Sequence, residues 1–253
     1  MMRVVLFLVL VSLLATPVGL QAQSGWQWVD IEGAQGAKLR AVVFRPAGTG
    51  PFPIVVYLHG ISGLEEDDLS LGSKLAQEGF ITIVGCWFGK ANFVNGVDPC
   101  PQVPSQSDVF AVKNVVALMD AGRQMPGVRR DRVGLVGYSR GGGLAAAVAS
   151  SGADLQAAVA ISARFELSYG QNDVSAISQI QNLRVPLLIL QGTKDATARP
   201  EIARNYEQRV RAAGKTVEAY YIEGGDHFML SDPRFQKEVL QRSVDFLNKY
   251  MRL

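Results

Sequence analysis

The sequence predicts one α/β domain, a mostly parallel sheet with helices on both faces. Three observations predict it. Short apolar runs at residues 52–58, 80–84, 133–136, 157–161 and 186–190 lack polar alternation, so they read as strands buried on both faces. Helical patterns lie between them, and a strand–helix–strand order makes successive strands parallel. No internal repeat or low-complexity linker divides the chain after its first segment. The 253 residues, 48% of them apolar, are enough for one large core and too apolar for disorder. Lys+Arg number 25 against 23 Asp+Glu, and no basic tract stands out, which argues against a nucleic-acid partner.

The elements follow in order. Met1-Met2-Arg3 is positively charged, residues 4–11 are apolar throughout, and the chain then turns small and polar up to Ser24. That is the layout of a secretory signal peptide. Residues 1–22 are therefore expected to be a leader cleaved near Ala22, with residues 23–253 as a single secreted or periplasmic domain. Pro17 and Gly19 break the apolar run short of the roughly 20 residues that span a bilayer, against the rival reading of a membrane anchor. Export permits Cys86 and Cys100 to form a disulfide, the alternative being two buried free thiols. Residues 26–31 and 38–44 alternate apolar and polar, as an antiparallel edge pair does. Helices are expected over 68–78, 108–120, 144–149, 201–213 and 235–250, and a further strand over 217–222.

In such sheets ligands bind beyond the carboxyl ends of the strands. After the run at 133–136 comes Gly137-Tyr138-Ser139-Arg140-Gly141, entered from a strand and left through a small-residue helix. A strand-to-helix turn this sharp crowds the positions two before and two after the serine, and glycine alone tolerates the crowding. Ser139 is the candidate nucleophile. It needs a base, and of the two histidines His227 follows the strand at 217–222. Asp195 follows the run at 186–190 and is the candidate acid that orients His227. Asp226 adjoins His227 but reads as a solvated turn residue. The expected oxyanion hole is the amide of Arg140, next after the nucleophile, with that of Ile61 in the loop His59-Gly60-Ile61-Ser62-Gly63. His59 is expected to brace that loop by a buried hydrogen bond.

At these residues the chain resembles the α/β-hydrolase superfamily, and within it the dienelactone-hydrolase-like members. The likeness rests on residues 134–142, on Gly60-Ile61-Ser62-Gly63-Leu64, on Gly192 to Asp195 and on Asp226-His227-Phe228. It implies the α/β-hydrolase fold with eight strands, the triad Ser139, Asp195 and His227, and the amides of Ile61 and Arg140 as oxyanion donors. It also implies that Trp87 and Phe88 line the substrate site; rim packing is the alternative. Ser139 stands where the namesake enzyme has cysteine, and Gly60 where it has an acidic residue. No long insertion separates Ile161 from Val185, so no large lid domain is expected. Glu65-Glu66-Asp67-Asp68 reads as acids at a helix N-terminus rather than a calcium site. No metal or other cofactor is called for, and the expected partner is a small-molecule ester.

The expected activity is that of a secreted serine hydrolase cleaving carboxylic esters or lactones through an acyl-enzyme. The rivals are a peptidase or amidase of the prolyl-oligopeptidase-like class and a non-catalytic binding protein on the same scaffold. The first would need a gating domain for which the chain has no room, and the second usually lacks a triad member.

Overall fold

The computed structural model describes residues 25–88, 100, 110–169 and 174–251; the expected leader and its cleavage site lie outside them. Within them eight strands form one sheet: β1 (Trp26–Glu32), β2 (Lys38–Phe44), β3 (Phe52–Leu58), β4 (Ile81–Gly85), β5 (Val128–Tyr138), β6 (Ala157–Ile161), β7 (Leu187–Gly192) and β8 (Val217–Ile222). Their order is β1-β2-β4-β3-β5-β6-β7-β8. From β4 to β8 every pairing is parallel, while β1 and β2 join antiparallel to each other and β2 to β4.

Among the described residues five helices cover the two faces: α1 (Glu66–Gln77), α2 (Ala111–Gln124), α3 (Arg140–Ala149), α4 (Pro200–Ala212) and α5 (Pro233–Met251). The core divides accordingly. Ile54, Val56 and Leu58 of β3 pack with α2, α3 and α4, whereas Val55 and Tyr57 pack with α1 and α5. Strand period two sends alternate residues of β3 to opposite layers, and burial on both faces explains the unbroken apolar run. Between β6 and β7 the described residues hold a short 3-10 turn (Ile180–Asn182) and a Ser168–Ser175 bridge, with no lid domain.

Several boundaries depart from the sequence pattern, α2 and α3 among them, and two have a clear physical cause. β5 starts at Val128, and its added residues include Arg129, Arg130, Asp131 and Arg132. This half lies at the surface and is held by pairing with β3 from Phe52↔Val128, across a register shift, so apolar content does not reveal it. α1 starts two residues before the expected Asp68 because Glu65 caps it: the Glu65 carboxylate accepts the Asp68 N–H, and Asp68 Oδ2 accepts the Glu65 N–H at 2.7 Å.

Asp68 is buried, and its Oδ1 accepts the Tyr57 hydroxyl at 2.6 Å. Burial first, then the charges of Glu65 and Asp67, push its carboxyl up to about 7 against the bonds from Tyr57 and Glu65 N–H. The folded chain thus keeps a proton that the unfolded chain, at its ordinary 3.8, has released. Stability from this group is full below about pH 4 and falls as pH rises towards 7. Asp68→Asn should remove that slope, so the urea midpoint of the variant gains on wild type across this window. Parallel midpoints would contradict it.

Cys86, directly after β4, is bonded to Cys100 with a Cα–Cα distance of 5.6 Å. No helix among the described residues is long and apolar enough to cross a membrane.

Candidate active site

β5 delivers Ser139 at its carboxyl end, and α3 starts at the next residue. Ser139 holds φ 54° and ψ −115°, a conformation costly for any side-chain-bearing residue and typical of a nucleophile on a sharp strand-to-helix turn. Its N–H donates to Ile161 O at 2.8 Å, and its carbonyl accepts Gly143 N–H and Arg164 N–H, both at 3.1 Å, so neighbouring backbone holds the turn. A Cβ on Gly137 would overlap the carbonyl of Gly141, and one on Gly141 would overlap that of Leu58. The turn closes only because both positions lack side chains.

The loop after β8 brings His227 over this turn. His227 Nε2 lies 3.0 Å from Ser139 Oγ, and Nδ1 lies 2.9 Å from Asp195 Oδ2. A carboxylate only accepts, so Nδ1 carries the proton and Nε2 is left to accept the serine hydroxyl. All three residues are buried, with Ser139 and His227 at the floor of a cleft. Tyr138 secures the arrangement from the side, its hydroxyl donating to His227 O at 3.0 Å. Asp226 instead accepts the Phe228 N–H at 2.9 Å and stays exposed.

Asp195 sits in a turn built to receive a charge. Its Oδ1 accepts Thr197 N–H at 2.9 Å and Ala198 N–H at 2.7 Å, and its Oδ2 accepts Gln191 Nε2–H at 3.0 Å besides His227. Burial alone would raise the carboxyl; the bonds from His227, Ala198 and Gln191 outweigh it and hold it below the usual range. Gln191, fully buried at the end of β7, also donates to Ala198 O at 2.8 Å. Gln191→Leu should cost about 1.5–3 kcal/mol, the worth of a hydrogen bond to a charged group. A melting temperature equal to wild type would show that Asp195 does not need it.

The cleft has a volume of about 460 Å³. Ile61 and Arg140 both line it, with Ile61 at the exposed edge of the Gly60–Gly63 turn. Trp87, expected to line the site or to pack at its rim, is fully buried and is not among the residues that line this cleft. Its ring stacks on His59 at 5.4 Å and its Nε1–H donates to His59 O at 3.2 Å, so it packs beneath the Ile61 loop. Phe88 is half-buried against Trp87 and under the Arg140 guanidinium, and it too is absent from the lining. His59 itself is buried beside Arg140; burial drives its imidazole down to about 4, and its Nδ1–H donates to Gly60 O at 2.8 Å. Residues not expected there also line it, among them Glu65, Arg164, Leu167, Ser168, Thr197 and Phe228. Phe228, next to His227, is 61% exposed.

Comparison with known proteins shows the family and the fold. The profile of the Dienelactone hydrolase family matches residues 39–251. A Bradyrhizobium protein described as a 2-oxo-3-(5-oxofuran-2-ylidene)propanoate lactonase is 25% identical over 205 residues, covering 79% of this chain and 82% of its own. The crystal structure of a Klebsiella pneumoniae protein described as a dienelactone hydrolase superposes with a TM-score of 0.74 at 24% identity, over 89% of this chain and all of the other. An acylaminoacyl peptidase from Pyrococcus horikoshii has the same fold, with a TM-score of 0.74 at 14% identity, but the match covers 90% of this chain and only 42% of the peptidase.

Proposed function

The chain belongs to the dienelactone hydrolase family of hydrolases, and from that membership we propose that it is an exported serine hydrolase cleaving carboxylic esters or lactones. One observation carries the reading: a continuous hydrogen-bonded relay from Ser139 Oγ through His227 to Asp195, opening on a cleft. Serine is a poor nucleophile unless a base takes its proton as it attacks. In the proposed reaction Ser139 Oγ attacks the ester carbonyl carbon and its proton passes to His227 Nε2. Asp195 stabilises the resulting imidazolium and keeps the ring in register. The tetrahedral oxyanion is held by the amides of Ile61 and Arg140. It collapses to an acyl group on Ser139, and His227 returns the proton to the leaving alkoxide. Water then attacks the acyl-enzyme with His227 again as base, releasing the acid and restoring the serine. In a lactone the leaving hydroxyl remains tethered to the acid, and the steps are otherwise the same.

Among the described residues no lid domain stands between β6 and β7, which favours small or extended substrates over acyl chains needing a closed tunnel. The lactonase description of the Bradyrhizobium relative supports including lactones, and the Cys86–Cys100 bond is compatible with export to an oxidising compartment after cleavage near Ala22. The test pairs fluorophosphonate labelling with a panel of esters, lactones and amides. Labelling at Ser139 with turnover of esters or lactones is expected. Turnover of amides alone would favour a peptidase, and no labelling would favour a binding protein.

A further inference from the structure

The loop that carries Ile61 runs from the end of β3 to the start of α1. Gly60 O accepts both the Gly63 N–H at 3.2 Å, across the turn, and the His59 Nδ1–H at 2.8 Å. The Ile61 side chain is 55% exposed, so it contributes little packing to hold the turn. Trp87 Nε1–H holds the entry of the loop at His59 O, and a second set of contacts holds its exit. Leu64 is fully buried in the layer that contains Tyr57. Beyond it, the Asp68 carboxyl accepts the Glu65 N–H on one oxygen and the Tyr57 hydroxyl on the other. One side chain thus ties the strand that enters the loop to the residue that leaves it.

Stability alone does not call for such a pair. A buried phenol and carboxyl lose hydration, and an apolar pair of similar volume would fill the space at less cost. What two directed bonds supply, and apolar packing does not, is a fixed position. An oxyanion donor must lie about 2.7–3.1 Å from where the oxyanion forms, not from the ground-state carbonyl, so a small displacement costs rate more than binding.

We propose that Tyr57 and Asp68 are positioning residues for the oxyanion-binding turn, setting where the Ile61 N–H points. The inference rests on the serine-hydrolase reading above and adds to it two residues that touch no substrate. Three variants of the whole chain test it: Tyr57→Phe, Asp68→Ala and Asp68→Asn. The readouts are kcat and KM on p-nitrophenyl acetate, normalised to fluorophosphonate-titrated Ser139, with melting temperatures alongside. Tyr57→Phe and Asp68→Ala should lower kcat per site roughly tenfold, less than the 10²–10³ of a lost donor, with KM within about twofold. Asp68→Asn should restore kcat to within about threefold of wild type, because its amide oxygen accepts the Glu65 N–H while its NH₂ donates to the Tyr57 oxygen.

A lower melting temperature in Tyr57→Phe with wild-type kcat per site would overturn the proposal and leave a purely structural pair. So would an Asp68→Asn variant as slow as Tyr57→Phe, a comparison that stands even if Asp68→Ala does not fold. Wild type that neither labels nor turns over ester would overturn both this inference and the serine-hydrolase reading. Failure of the tether alone leaves wild-type labelling and turnover intact.

Discussion

Ser139→Ala should lower kcat on a chromogenic short-chain ester by about 10⁶-fold while leaving the melting temperature close to wild type. The size follows from the relay. Without Oγ there is no nucleophile to accept the acyl group, and His227 Nε2, 3.0 Å from that oxygen, has no proton to take. Residual catalysis, about 10³–10⁴ over water, should come from the oxyanion donors and binding alone. The fold should tolerate the change. Alanine also has a Cβ, so it meets the same strain at φ 54° that serine already bears, and the removed hydroxyl faces a cleft that water can enter. His227→Ala should cost a comparable factor, and the double variant little more, because the two act as one unit. Unchanged ester hydrolysis in Ser139→Ala would end the serine mechanism, and additive losses in the double variant would separate the two residues.

Much of this site was legible because its chemistry sits at strand ends. Five buried strands announced themselves as unbroken apolar runs; the residues following two of them, Ser139 and Asp195, with His227 after the further strand at 217–222, suggested a relay before any distance was known. The structure places those side chains within hydrogen-bonding reach. Trp87 shows where that logic stops: it too follows a strand, yet burial is decided by what packs above it, here His59 and the Ile61 loop. Arg164, Leu167 and Phe228 reach the cleft only through the paths of long loops, which no periodicity encodes. Tyr57 read as one more apolar strand residue and Asp68 as one more acid in a helix first turn. Their contact depends on where the first turn of α1 sits relative to β3, a tertiary property. The surface half of β5 is hidden for the opposite reason, since pairing rather than burial defines it.

Gly141→Ala should also be strongly damaging, by at least about 10² in rate, although no part of Gly141 reacts. A Cβ there would overlap the carbonyls of Leu58 and His59, both backbone atoms at the carboxyl end of β3, so no side chain can swing aside. Either the head of α3 lifts away from the sheet or the loop after β3 retreats. The first movement displaces Arg140 and Ser139, the second Gly60 and Ile61, so both would disturb the proposed oxyanion hole. Overpacking of this kind costs about 3 kcal/mol at the upper end of its usual range. Misplacement by about 1 Å costs roughly 10² in rate, so the folded fraction should be at least that much slower. Gly127→Ala is the control. Gly127 has φ +72° and open space around it, so alanine there should cost about 1–2 kcal/mol of left-handed strain and leave kcat unchanged. The two variants together separate strain from crowding: equal stability loss with full activity in both would mean that the approach of α3 to β3 is not what fixes the Ser139 turn.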